Sequence, residues 1–351
     1  GPIGSLTIVD PMDSSEKTDF RVEVGQSGSG KDLRADVALK QRGARGLLWS
    51  SVIEEPGGRA VDLRQQVSAQ VGEVLNCLAE LGDLRRTVSP ESLSLYLRGC
   101  SLGADPEALA VFRQLTEREP KFGPGWANLA LVSAWNVPTA LHSERRALIA
   151  SSEKARDKAL QYGPDLPATA VAVAIMRPSG GAKQQSVLRI MDAAIAKNPD
   201  SALLRATRGE ALQSLGRSKE AIAEFARAKD LNPLSPGLLD AHASALAYGG
   251  NIEAAYAALA EAEKAWPGSS QLAEARFRID LRFGDPKHAE AFLLRSAGSH
   301  GSSRKLIFAL LQARADPSPA SIEAALEGYR ELYRQRPGNS PAYVSALATF
   351  G

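Results

Sequence analysis

The chain has 351 residues, a length that exceeds one ordinary hydrophobic core and indicates two domains or one domain with a repeat array. Hydrophobic residues make up 44% and charged residues 23%, which excludes general disorder, and no apolar run approaches the ~18 residues that a membrane helix needs. With 42 Lys and Arg against 40 Asp and Glu, the net charge of +2 gives no field that would collect phosphates, so we do not expect this chain to bind nucleic acid.

The first five residues, Gly-Pro-Ile-Gly-Ser, resemble the scar that remains after a protease removes an expression tag. We therefore expect the natural polypeptide to continue upstream of residues 1–5. A signal peptide, an anchor or an upstream effector domain would belong to that part.

Two segments near the N-terminus predict a β-hairpin. Residues 20–24 and 33–40 alternate apolar and polar side chains, which is the two-residue period of a strand with one buried face. Residues 47–52 are predicted to form a further strand.

The Gly/Ser-rich residues 25–32 between the two alternating segments nearly match a phosphate-binding P-loop. A P-loop needs Ser or Thr after its lysine and a helix that begins there. Here Lys31 is followed by Asp32 and an alternating segment. We therefore interpret these residues as a flexible hairpin turn.

A long amphipathic helix is predicted over Ala60–Leu81, and one of its faces should cover the sheet. The strands and this helix are predicted to form a small α/β subdomain over residues 1–88. Apolar residues recur along the helix every three or four positions: Leu63, Val67, Val71, Val74 and Leu78.

The chain has two cysteines, Cys77 near the end of that helix and Cys100 in the following one. Two cysteines are too few for a disulfide scaffold and are not spaced like a zinc site. A disulfide between them would tie the α/β unit to the first repeat. Two small, buried, apolar side chains are the alternative.

Proline follows a helical stretch at Pro199, Pro233 and Pro267, each 34 residues after the previous one, which is the tetratricopeptide period. One period predicts two helices, over residues 203–215 and 218–231. Gly216 between them is typical of a left-handed helix end, and Ser218 of a helix start.

The second helix of each period carries small residues where two helices approach closely and one bulky residue that fills the gap between repeats. This spacing resembles that of the tetratricopeptide family. Residues 137–185 do not keep the period, which indicates an insertion or a degenerate repeat. The matching positions are Ala221, Phe225 and Ala228; Ala255, Leu259 and Ala262; Ala108, Phe112 and Pro120, with Trp126, Leu129 and Ala130 after them; and Ala325, Tyr329 and Pro337.

The predicted fold is therefore mainly α: a tetratricopeptide-type α-solenoid of six to seven helix pairs over residues 89–351, preceded by the small α/β subdomain. The order of hairpin, Leu48-Trp49-Ser50, long helix and repeats resembles the TolB-like unit with tetratricopeptide repeats of CadC-like winged-helix activators and some class III adenylate cyclases. The first half of the TolB-like unit is reduced to residues 5–9, and this sequence contains neither a winged helix nor a cyclase domain.

This resemblance implies the sensory or partner-binding part of a bacterial signalling or transcription regulator. It also implies a location at the periplasmic face of the inner membrane, with the cytoplasm as the alternative. Whether the chain is a monomer or a homodimer stays open.

No pattern of catalytic or metal-binding residues accompanies the histidines, which lie far apart at His142, His242, His288 and His300. We therefore predict that the chain is not an enzyme and that it binds no cofactor and no metal.

The predicted function is non-enzymatic protein–protein interaction, in which the first helices of the repeats hold a protein or peptide in a concave groove. The alternatives are a sensor of pH or of a small ligand and, less favoured by the sequence, an enzyme without a recognisable motif. The 34-residue register places six residues in this groove: Glu210, Gln213, Asp240, Ser244, Glu274 and Arg278.

Overall fold

The computed structural model describes residues 20–29, 32–41, 46–137, 140, 142–176, 183–295, 304–335 and 346–350. The chain divides into two compact units, Gly1–Ala245 and Leu246–Gly351. The predicted boundary between residues 88 and 89 falls just after a short 3-10 helix, Gly82–Thr87. Residues 1–9, which include the expected scar, lie outside the described residues.

Unit 1 begins with a three-stranded antiparallel sheet in the order β1-β2-β3, formed by β1 (Phe20–Ser29), β2 (Asp32–Gln41) and β3 (Leu47–Glu55). The predicted hairpin is confirmed. The strands are longer than expected, because Gly25 pairs with Asp36 and Ser27 with Arg34. Strand pairing uses the backbone, which Gly and Ser also supply.

Most of the predicted hairpin turn, residues 25–32, belongs to the two strands. Residues 25–29 belong to β1, and β2 begins at Asp32. A strand follows this segment, whereas a phosphate site of the P-loop type requires a helix N-terminus there.

Helix α1 (Ala60–Leu81) has the predicted bounds and packs on β2 and β3. Ser51 Oγ of β3 donates a hydrogen bond of 3.0 Å to Gln70 Oε1 of α1. Alternate residues of a strand share one face, and on the covered face of this sheet they are mainly apolar. Its buried side chains include Ala35, Val37, Leu39, Trp49 and Ile53.

Helix pairs follow in chain order, a first and a second helix in each. Unit 1 holds four pairs and most of α10. The helices are α2 (Pro90–Leu102) and α3 (Glu107–Arg118); α4 (Gly123–Asn136) and α5 (His142–Tyr162); α6 (Pro167–Ile175) and α7 (Lys183–Lys197); α8 (Ala202–Ser214) and α9 (Ser218–Leu231); and α10 (Pro236–Tyr248).

In unit 2 first and second helices continue to alternate along the chain. The helices of this unit are α11 (Ile252–Ala265), α12 (Ser270–Arg282) and α13 (Pro286–Arg295), α14 (Arg304–Ala315) and α15 (Pro319–Gln335). In chain order, the described helices after α1 therefore make seven first-and-second-helix pairs, the upper end of the predicted count. Pro337 lies outside the described residues.

The segment 137–185, where the period is lost, continues the helical array. It holds α5 and α6 and the start of α7. The period is lost because helix lengths change: α5 has 21 residues and α6 has 9.

The fourth helix pair, α8 and α9, packs as the repeat spacing predicts. Gly216 has a φ of +72°, and Arg217 N donates to Leu212 O at 2.9 Å, which is the left-handed end expected for α8. The ring of Phe225 lies on Gly209, where an added methyl group would meet ring carbons at 3.0 to 3.2 Å. Glycine here lets α8 and α9 approach closely.

Trp126 differs from Phe225. It is half-buried on α4, and its Nε1 donates to Pro120 O at 2.9 Å, so part of the ring reaches solvent. The bulky side chain that fills the core of this region is Phe112, which is 1% exposed and lies against Gly99.

The hydrophobic core of unit 1 is continuous from the sheet residue Ala35 to Ala245 of α10. Unit 2 contains smaller apolar clusters, one around Phe277, Leu293 and Leu311 and another around Leu310 and Tyr329. Within the described parts of the chain, no helix is both long enough and apolar enough to cross a membrane.

Candidate functional site

In unit 1 the predicted groove residues lie on two first helices, Glu210 and Gln213 on α8 and Asp240 and Ser244 on α10. Glu210 is exposed and the other three side chains are half-buried. Ser244 Oγ donates a 3.2 Å hydrogen bond to Asp240 Oδ1. All four polar side chains are therefore accessible on the helices that the repeat assigns to the binding face.

The carboxyl group of Glu210 is accessible to solvent, yet burial by the surrounding protein raises its pKa above the ordinary range. A carboxyl group within a concave surface is both accessible and partly desolvated, because water reaches it while protein atoms lie on several of its sides. The place of Glu210 in a binding groove stays a prediction.

Glu274 and Arg278 lie on α12 of unit 2, one helical turn apart and half-buried. Unit 2 thus carries a mixed-charge pair, whereas the set on α8 and α10 of unit 1 is acidic and polar.

Helix α1 makes contacts with the repeats that we did not predict. Gly72 packs against the turn after α9, where an added methyl group would lie 3.0 Å from Leu234 Cβ and 3.3 Å from Asn232 Oδ1. Glu80 accepts a 3.0 Å hydrogen bond from Ser201 Oγ, across 121 residues of sequence. Glycine inside a helix is unfavourable unless packing requires it, so Gly72 was the signal that could have revealed this contact.

The Glu80 carboxyl group lies where α1 meets the N-terminal end of α8. Burial raises its pKa to about 7, the nearby charge of Glu73 adds to this, and hydrogen bonds from Ser201 and Asn76 oppose it. Burial also raises the pKa of Glu73. Ser201 is the N-cap of α8, so the carboxylate also approaches the positive end of a helix.

A neighbouring polar contact connects the first two pairs. Tyr96 of α2 is 3% exposed, and its hydroxyl accepts a 3.2 Å hydrogen bond from Asn128 Nδ2 of α4. Burial, together with the charge of Glu80, raises the Tyr96 pKa. This hydroxyl therefore stays protonated and serves packing.

A disulfide joins Cys77 of α1 to Cys100 of α2 in the structure, with Cα atoms 6.5 Å apart. This separation lies within the range that disulfides span. Helix α1 is thus fixed by the sheet, by Cys100 and by Ser201.

A separate cleft of about 450 Å³ lies between α5, α6 and α7. At its rim Lys197 Nζ lies 2.5 Å from Asp165 Oδ1. The cleft can accept an apolar side chain. Its apolar lining includes Leu160, Pro164, Ala170, Val173, Ile190 and Ala194.

Three of the four histidines lie on described helices, each on a different one. His242 lies on α10, where burial, reinforced by the charge of Lys229 and opposed by that of Asp230, lowers its pKa. His142 opens α5, His288 lies on α13, and His300 lies outside the described residues. Among the described residues, no group of three or more His, Cys, Asp or Glu could hold a metal ion.

The alternating helix pairs, their 34-residue period and the packing of Phe225 on Gly209 define a tetratricopeptide-type helical repeat array. No protein-family model matches the chain, and no curated protein matches it in sequence. The TolB-like, CadC-like and cyclase resemblances therefore stay predictions.

Solved structures that are similar to the chain include TTC0263, a thermophilic TPR protein of Thermus thermophilus, with 18% identity over 61% of this chain and 96% of that chain and a TM-score of 0.38. Yeast Tom70 is 14% identical over 70% of this chain and 53% of its own, with a TM-score of 0.42. YrrB, a TPR protein with an unusual peptide-binding site, is 17% identical over 57% of this chain and 97% of its own, with a TM-score of 0.32. At these TM-scores the likenesses carry no argument about function.

Proposed function

We propose that this chain is a non-enzymatic interaction module that binds a basic segment of another protein along α8 and α10. The observation that supports this most directly is Glu210, an accessible carboxylate whose pKa is raised because protein surrounds it. A partly desolvated carboxylate gains from an incoming Lys or Arg, since an ion pair offsets the cost of its burial.

The neighbouring residues fit such a partner. Asp240 supplies a second acid on the next first helix, and Gln213 and Ser244 supply hydrogen-bonding groups for a peptide backbone. Helices packed into the repeat array hold these groups in place, which lowers the entropy that binding must overcome.

Two synthetic probe peptides of equal length test this proposal, one alternating Lys with Leu and the other alternating Glu with Leu. Titration calorimetry should show tighter binding of the Lys peptide by the whole chain. Glu210→Lys combined with Asp240→Lys should weaken that binding by about tenfold or more, because two favourable ion pairs become repulsive.

The matched control is Glu153→Lys, which changes an exposed acid on α5, a second helix of the same unit. It should leave the affinity unchanged. Equal loss in the control, or equal binding of both peptides, would contradict the proposal. The charge reversal of Glu274 and Arg278 in unit 2 then shows whether that pair also contributes.

A second candidate function, sensing of pH, is favoured by Glu80, where the pKa of about 7 coincides with the contact between α1 and Ser201. Ionisation near neutral pH would weaken the packing of α1 on α8. Such a change is the form of signal that a regulator of transcription or signalling could pass to another domain. Protection of the α1 amides, taken relative to the intrinsic exchange rate at each pH, should then fall between pH 6 and pH 8 in the natural chain and stay constant in Glu80→Gln.

We also propose an oxidising location, the periplasmic face of the bacterial inner membrane, in preference to the cytoplasm. The support is the Cys77–Cys100 pair, since such bonds persist in oxidising compartments and are rare in reducing ones. Two titratable thiols in denatured, unreduced protein from its natural compartment would contradict this location.

A further inference from the structure

Among the described residues, strand β1 lies at the edge of the sheet and carries exposed side chains. It is the first strand in the order β1-β2-β3, and no described strand pairs with its outer side. An edge of this length presents unpaired backbone donors and acceptors, which are a template for another strand.

The face of β1 that continues the core face of the sheet is apolar and uncovered. Val22 lies opposite Leu39 and Val24 opposite Val37, so these valines share the face that α1 covers on β2 and β3. Val22 is nevertheless 36% exposed and Val24 53% exposed. The helix layer therefore stops short of β1.

The opposite face of β1 carries a charge imbalance. Arg21 lies directly across from Lys40, and like charges in that position are destabilising. Lys40 pairs instead with Glu23, with Nζ 2.6 Å from Oε2. Among the described residues, the Arg21 side chain makes no hydrogen bond or ion pair.

We propose that β1 pairs antiparallel with β1 of a second copy of this chain, centred on Val22. This register sets Arg21 opposite the partner's Glu23 and Glu23 opposite the partner's Arg21. On the other face it sets Val22 opposite the partner's Val22, and Phe20 opposite the partner's Val24. Each copy thus neutralises the uncompensated arginine of the other and covers its exposed valines.

The sequence of β1 singles out this register. A shift of one residue would place the apolar face of one copy beside the polar face of the other. A shift of two residues would set Arg21 opposite the partner's Arg21 in one direction, or Glu23 opposite the partner's Glu23 in the other. Only the register centred on Val22 pairs opposite charges and apolar side chains at once.

The contact consists of one strand from each copy, which is small beside the ~1,200–2,000 Å² that stable interfaces bury. The dimer is therefore reversible and depends on concentration. It does not involve the residues of the proposed peptide site, so its failure and the failure of the proposed function are separate results.

Sedimentation velocity of the whole chain over a concentration series tests this inference. The natural chain should pass from monomer to dimer as concentration rises. Arg21→Glu and Glu23→Arg should each weaken the dimer by about tenfold or more, because each change places like charges opposite each other at two symmetric positions.

The double variant Arg21→Glu with Glu23→Arg exchanges the two charges and should restore the dimer. It also places a glutamate across from Lys40, so that the sheet itself keeps an ion pair. Glu153→Lys, which changes an exposed acid on α5 and lies outside the sheet, is the control and should dimerise like the natural chain.

A natural chain that remains monomeric at every concentration would overturn the proposal. So would the finding that another segment of the same chain covers β1. Dimers that survive both single substitutions would also overturn it, since another surface would then hold them. Thermal melting of each variant shows whether the sheet is folded, and the double variant keeps the test decisive if a single variant melts early.

Discussion

The two units carry the same kind of repeat but are stabilised by different contacts. In unit 1 one hydrophobic core runs from Ala35 to Ala245. In the described part of unit 2, the clusters around Phe277 and around Leu310 hold fewer buried residues than that core. A polar cluster accompanies them: Tyr256 of α11 donates to the carboxylate of Asp280, which is 3% exposed. Arg314 of α14 donates to the backbone carbonyls of Asp280 at 2.6 Å and Gly284 at 2.8 Å.

This difference teaches that a repeat template fixes where helices begin and end but not what fills the space between them. In unit 1, α1 adds an apolar face that the repeats themselves do not contain. In unit 2, hydrogen bonds from Arg314 to backbone carbonyls join α14 to α12.

Among the substitutions that test this comparison, Phe225→Ala in unit 1 should lower the stability most. The ring is 3% exposed and packs on Gly209, so its loss should lower the free energy of unfolding by about 3–5 kcal/mol. Urea titration measures this. Leu294→Ala, at a side chain that is 61% exposed, should change it by less than about 0.5 kcal/mol. A loss below about 1 kcal/mol at Phe225 would mean that the repeat register is wrong.

Trp126→Ala should cost less than Phe225→Ala, because Trp126 is only half-buried. Equal losses at the two positions would contradict this ranking.

Loss of the Cys77–Cys100 bond should have the next largest effect. The bond spans a sequence separation of 23 residues, and closing a loop of that size in the unfolded chain is worth about 3 kcal/mol. Urea titration of the oxidised chain and of Cys77→Ala with Cys100→Ala compares the two states. Equal midpoints would show that the bond does not stabilise unit 1.

Tyr256→Phe tests the polar cluster of unit 2. The change removes one hydroxyl and leaves the buried Asp280 carboxylate without that donor, which should cost about 1–3 kcal/mol. Tyr248→Phe is the matched control, because Tyr248 is 44% exposed and its hydroxyl partner Arg282 is at the surface. If both variants unfold at the same urea concentration, the buried cluster contributes no more than a surface contact.

The effect expected from Glu80→Gln depends on pH. Between pH 4.5 and about 7 the folded chain still holds a proton that the unfolded chain has lost, so this carboxyl group makes stability fall as pH rises. The glutamine variant lacks that loss and should be more stable by up to about 3 kcal/mol at pH 8 and equal at pH 4. Melting curves at both pH values measure it. Glu153→Gln should show no such difference.

Local signals made much of the fold predictable. Gly216 and the 34-residue proline spacing located the helix ends, and the apolar stripe that begins at Leu63 gave the bounds of α1. Each of these depends on residues within a few turns of one another. The length of β1 was missed, because Gly and Ser residues pair through their backbones without any side-chain pattern.

The contacts of α1 with Ser201 and Leu234 could not be predicted, because they join residues far apart in sequence and depend on how several helix pairs stack. The groove residues follow from the register alone, and their joint role in binding stays a prediction. What the structure adds is the environment of Glu210, which no sequence pattern encodes.

The hydrogen bond between Glu80 and Ser201 has a consequence for how the chain folds. A repeat array that touches only its neighbours can form from any point and grow one repeat at a time. The contact between α1 and α8 cannot form until α8 is in place, and it joins residues 121 positions apart in sequence. High contact order of this kind slows folding and couples distant repeats, so we expect unit 1 to fold in a single cooperative step rather than pair by pair.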